Sequence, residues 1–102
     1  MVNLEDNVLI CDLIDCYKDL LTTHQANILI SYYFDNMSYG EISQNYDCSR
    51  QSVQDIIKRS LLKLEHYEEV LGLNSLKHKL KQAITLSDQQ MKNKLNEILE
   101  DL

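Results

Sequence analysis

Apolar residues recur at three- and four-residue steps along most of the chain, the period of an α-helix. The first stretch, Leu4 to Leu21, repeats through Leu9, Leu13, Cys16 and Leu20, with Ile10, Ile14, Tyr17 and Leu21 beside them. That stripe is wide enough to be buried on two sides. Thr22 followed by Gln25 forms a capping box, in which the hydroxyl accepts an orphan backbone N–H while the amide reaches back. A second helix is therefore expected from about Thr23 to Phe34. Asp35, Asn36 and Met37 make a short turn, and Ser38 with Glu41 makes another capping box, opening a short third helix that ends near Asn45. Tyr46, Asp47 and Cys48 interrupt the pattern. Ser49 is the expected N-cap of a long fourth helix, whose inward stripe Val53, Ile57, Ser60, Leu64, Tyr67, Leu71 runs until Gly72 ends it. Such a helix is about 20 residues, roughly 30 Å, long. Leu76, Leu80 and Ile84 mark a fifth helix. Ser87 with Gln90 is a third capping box for a sixth, with Met91, Leu95, Ile98 and Leu102 on one face.

The pattern predicts an all-α protein of six helices with short connections and no internal repeat. At 102 residues the chain holds one domain with a hydrophobic core. Residues 1–72 are expected to form that core and residues 73–102 a C-terminal helical pair. A composition of 44% hydrophobic and 25% charged residues, with no proline and two glycines, is that of a folded helical protein and not a disordered one. The longest apolar runs fall far short of the roughly 20 residues that span a bilayer, so membrane insertion is excluded.

Charge changes the picture. A net charge of −6 argues against a phosphate-bearing partner, but it is unevenly spread. Residues 1–47 hold one Lys and eight acids, net −7; residues 48–81 hold seven basic and four acidic groups, net +3; residues 82–102 are net −2. Basic charge thus collects in the middle. Cys11, Cys16 and Cys48 are odd in number and form no CxxC pair, and no basic start with an apolar run and cleavage site leads the chain. A cytoplasmic, reducing location is expected.

From Tyr39 to Arg59 the sequence reads YGEISQNYDCSRQSVQDIIKR. A short helix, a three-residue turn and a second helix with a polar, basic start are helix-turn-helix spacing. Ile42, Tyr46, Cys48, Val53 and Ile56 fall where two steeply crossing helices must pack. Ser43 is small where they approach most closely, and Asp47 holds the turn position that needs a left-handed residue, which Asp tolerates less well than Gly. With Val53 and Ile57 inward, Gln51, Gln54, Asp55 and Lys58 turn outward, with Arg59 at the edge and Arg50 in the first turn. Arg50 and Gln51 suit the base edges of guanine and adenine; Ser49, Lys58, Arg59 and Lys63 suit phosphate contacts that fix register. The candidate nucleic-acid-binding set is therefore Ser49, Arg50, Gln51, Gln54, Lys58, Arg59 and Lys63. The same arrangement also serves protein–protein contacts, solvated Arg, Lys and Gln need no ligand, and Asp55 is adverse to phosphate.

Other chemistry lacks a site. Cys11 and Cys16 stand five apart, not the three or four that share a helix face, and with His24 and Cys48 they make no paired metal-ligand motif. The run Glu65, His66, Tyr67, Glu68, Glu69 reads as a solvated face. With no Ser-His-Asp set, no carboxylate pair in a defined setting and no glycine-rich phosphate loop, neither catalysis nor a cofactor has a candidate site.

The residues DLIDCYKDLLTTHQANILISYYFDNMSYGEISQNYDCSRQSVQDIIKRSLLKLEHYEEVLGL resemble the YlxM-like family of low-GC Gram-positive bacteria, small helix-turn-helix proteins akin to sigma-factor region 4 and unrelated to winged helices. YKDLLT, the tyrosine pair in SYYFDN, CSRQSVQDIIKR and LEHYEEVLGL carry the likeness. Asp47 departs from the usual turn Gly, and Ser52 and Gln54 stand where sigma region 4 often has arginines. The resemblance implies a cytoplasmic DNA-binding-like protein encoded beside signal recognition particle genes, with a part in that pathway. Its partner is then DNA or particle RNA; the alternative is an adaptor that binds particle proteins or RNA without reading DNA. A homodimer through helix 1 and the C-terminal helices is also expected, because one three-helix core cannot cover the wide apolar stripe of helix 1. The rival arrangement folds helices 5 and 6 back over helix 1 within one chain.

Overall fold

A computed structural model describes residues 6–85 and 89–101. Side-chain caps set the helix starts. Asp6 accepts from the backbone N–H groups of Val8 and Leu9, at 3.0 and 3.2 Å, and opens α1, Asn7–Tyr17. Thr22 and Gln25 exchange hydrogen bonds with each other's backbone N–H, at 3.1 and 3.2 Å, at the head of α2, Thr23–Tyr33. Ser38 and Glu41 do the same for α3, Tyr39–Asn45. Ser49 caps α4, Arg50–Leu71, which ends at Gly72 in the left-handed conformation, φ 63°. From there the chain enters α5, Leu73–Thr85; α6 is Gln89–Glu100. No strand occurs among the described residues. The expected start at Leu4, Ser87 and Leu102 lie outside them, as do the side chains of Gln90 and Met91.

The core is one cluster of Ile10, Leu13, Ile14, Tyr17, Leu21, Ala26, Ile28, Leu29, Ile42, Val53, Ile57 and Leu64, supplied by α1 to α4. Each large aliphatic side chain buried there stabilises the fold by about 1.5–3 kcal/mol relative to exposure. Ser31, Ser43 and Ser60 are buried among these residues because they let helices approach closely. Their hydroxyls donate to carbonyls of their own helices, those of Asn27, Gly40 and Ile56, at 2.9, 2.7 and 2.7 Å. No buried side-chain nitrogen or oxygen among the described residues lacks a partner.

Two expectations are corrected. The first helix does not run to Leu21: it gives way after Tyr17 to a 3-10 turn, Lys18–Leu20. The tighter turn leaves Leu20 52% exposed and lets Leu21, in an extended conformation, drop into the core. The inward stripe of α4 stops short of Leu71, which is 51% exposed, because the helix outlasts the core beneath it. Within its own chain α1 packs against α2, α4 and α5, with Val8 left 73% exposed. Asp12 of α1 faces His78 of α5 at 3.6 Å, and the Cys16 thiol lies 4.0 Å from the Asn74 side-chain oxygen. Helix 5 thus lies against α1 as in the rival arrangement, while α6 packs on α5 alone among the described residues.

The corner between α4 and α5 is tied to α1 by a partly buried network. The Tyr17 hydroxyl donates to Glu68 at 2.6 Å and accepts from the Leu73 backbone N–H at 2.9 Å. The same Glu68 oxygen accepts from the Asn74 N–H at 3.1 Å. Two of the orphan N–H groups at the start of α5 are thereby satisfied by α1 and α4.

Candidate nucleic-acid interface

Local chemistry fixes the turn between α3 and α4. Asp47 adopts φ 52°, the left-handed conformation its position demands. The Cys48 N–H donates to the Ser43 carbonyl at 3.0 Å, and Ser43, 8% exposed, is the small residue over which the two helices close. Ser49 then accepts from the Ser52 N–H at 3.0 Å and donates its own proton to the Ser52 hydroxyl at 3.1 Å. Its hydroxyl is thus engaged in the helix end it caps.

All seven candidate residues are exposed, but they do not share one face. At roughly 100° per residue, Arg50, Gln51, Gln54 and Lys58 fall on one arc at the head of α4. Arg59 lies past Asp55, and Lys63 falls on the opposite flank. The Lys63 ammonium donates to the Gln25 side-chain oxygen at 3.3 Å, the same oxygen that accepts the Thr22 N–H in the α2 capping box. The structure therefore brings four candidates together and sets Lys63 apart. Within the arc, the Gln51 amide donates to the Asp55 carboxylate at 3.1 Å, one turn along the helix.

Arg50 differs from its neighbours in having a seat. Its guanidinium lies over Gly40 in the first turn of α3, so closely that a Cβ at Gly40 would stand 2.9 Å from one terminal nitrogen and 3.1 Å from Nε. Sequence reasoning missed Gly40. Its signal was a glycine inside a helical pattern, in a chain with only two glycines.

The two cysteines of α1 offer no reactive centre. Burial, followed by the charges of Asp15 and Asp12, pushes the Cys11 thiol up, and burial does the same to Cys16. Both are protonated at neutral pH and are weak nucleophiles. No group of three or more His, Cys, Asp or Glu side chains among the described residues is placed to hold a metal ion. No described helix is long and apolar enough to cross a membrane.

A family model described as "UPF0122: Putative helix-turn-helix protein, YlxM / p13 like" matches residues 4–102. A UPF0122 protein of Exiguobacterium sibiricum is 52% identical over 61 residues, covering 60% of this chain and 58% of the relative. One of Geobacillus kaustophilus is 51% identical over 61 residues, covering 60% and 56%. A UPF0122 protein of Listeria monocytogenes is 40% identical over 91 residues, covering 87% and 83%. The chain thus spans less than two thirds of the length of the first two relatives.

Proposed function

The chain belongs to the YlxM/p13-like UPF0122 family, and on that premise we propose that it is a non-enzymatic, cytoplasmic, nucleic-acid-binding regulatory protein. Its 102 residues act as one domain, with residues 73–102 appended to a helix-turn-helix core. Support for this reading comes from one observation: Arg50, Gln51, Gln54 and Lys58 share an exposed arc at the head of a 22-residue helix, seated on a helix-turn-helix. Arg50 and Gln51 meet base edges, with Gln54 beside them, while Lys58 and Arg59 meet phosphates, and Ser49 does so by turning its proton away from Ser52. Lys63 adds a phosphate contact only by leaving Gln25. The target is duplex DNA or the RNA of the signal recognition particle, the pathway that the YlxM likeness implies.

Titration of the full chain with duplex DNA and with particle RNA at low salt tests this. Arg50→Ala combined with Lys58→Ala is expected to weaken binding while circular dichroism shows an intact helical fold. Unchanged affinity would overturn the assignment of the arc. With about three or four phosphate contacts per protomer, log affinity should fall against log salt with a slope near about −3. The Gln51–Asp55 bond favours a second reading, because it occupies an adenine-reading amide and leaves a carboxylate in the contact face. In that reading the protein is an adaptor for signal recognition particle components, and a flat salt response would support it.

A homodimer, through helix 1 and the C-terminal helices, is also part of the proposal. Leu71, Leu73, Leu76 and Ile98 are 36–51% exposed on α4, α5 and α6, apolar surface that a second copy would cover.

A further inference from the structure

We infer that Gly40 is a positioning residue for Arg50: by lacking a Cβ it lets α3 hold the guanidinium at the mouth of the helix-turn-helix, aimed at the target. The inference rests on the proposal that the α4 arc meets nucleic acid. Glycine at this position is not needed by the backbone, since Gly40 is absent from the positive-φ residues. Within a helix glycine is destabilising relative to alanine. What it provides is space. A Cβ there would lie 2.9, 3.1 and 3.2 Å from Nη2, Nε and Cζ of Arg50, so the side chain would have to move. The α3 backbone beneath cannot yield easily, because the Ser38–Glu41 capping box and the Ser43 hydroxyl bond to the Gly40 carbonyl hold that turn. The Glu41 carboxylate next door accepts the Ser38 N–H at 3.2 Å, and no carboxylate forms an ion pair with Arg50 among the described residues. The guanidinium packs over the Gly40 backbone, with its donors left for an acceptor from outside.

The full-length chain and its Gly40→Ala, Arg50→Ala and double variants are titrated with a mixed-sequence DNA duplex at low salt. Gly40→Ala is expected to unfold at an unchanged or higher temperature yet to bind about three- to tenfold more weakly, a part of what a well-placed base contact contributes. In the Arg50→Ala background the same change should have no further effect. A Gly40→Ala affinity equal to that of the starting protein, or equal losses in both backgrounds, would overturn the inference. The Arg50 side-chain Nε–Hε resonance is followed in parallel, without ligand. It should shift in Gly40→Ala while the α4 backbone amides stay in place, and an unmoved resonance would refute the seat whatever the binding data show. A shifted resonance in a protein that binds no duplex would uphold the seat, overturn its role in aiming Arg50, and count against the DNA target of the proposed function.

Discussion

Val53 has no exposure and belongs to the cluster on which the helix crossing rests. A Val53→Asp substitution buries an unpaired charge there, a change of several kcal/mol against a total stability of roughly 5–15 kcal/mol. The variant is expected to be unfolded by circular dichroism, and a folded, soluble product would contradict the helix phase on which the contact arc depends. Tyr17, equally buried, carries a pH signature. Burial first, and then the hydrogen bond to Glu68, push its pKa from 10.0 up to about 12. The folded protein holds the neutral phenol more firmly than the unfolded chain, so this contribution is complete below pH 10 and is lost between pH 10 and about 12. Tyr17→Phe should lower stability by about 1–3 kcal/mol near neutral pH, where it removes a partner from Glu68 and the Leu73 N–H. Urea unfolding of both proteins across that range checks the sign: the difference should shrink as the pH rises, and a constant difference would refute it.

At the scale of elements, the helix starts are local chemistry. Thr22 with Gln25, Ser38 with Glu41, Ser49 with Ser52, and the left-handed Gly72 act over three or four residues, and for that reason they are legible in the sequence. Ser38→Ala should remove about 1 kcal/mol by opening one capping box. For a domain of this size that is a fall of about 4–8 °C in melting temperature, measurable by calorimetry; no fall would mean that tertiary packing alone fixes the start of α3. Features set by distant partners were not legible. The end of α1 depends on where Leu21 finds the core, and the exposure of Leu71 on how far α1 reaches beneath α4. Lys63 is drawn to Gln25, 38 residues away in sequence, which no helical wheel reveals. Likewise the arc of Arg50, Gln51, Gln54 and Lys58 follows from helical phase, whereas the seat of Arg50 requires knowing that the first turn of α3 lies beneath the first turn of α4.

For the whole molecule, the proposed dimer draws on the exposed leucines where α4 meets α5. Sedimentation equilibrium at micromolar concentration should give about twice the 11.9 kDa of one chain, and a single species at 11.9 kDa would sink the dimer. Substituting Leu76 by Glu should then dissociate the dimer and leave the core intact, since Leu76 lies outside the buried cluster. The body measures 53 × 24 × 21 Å, and α4 runs unbroken from the contact arc at its head to the Gly72 corner at its tail. That continuity makes α4 a ruler. Its 22 residues span about 33 Å, so two copies joined at the Gly72 corner, through Leu71 and Leu73, would hold their arcs up to about 66 Å apart. This is close to two turns of duplex rather than one, and the protected patches in a footprint would be spaced accordingly.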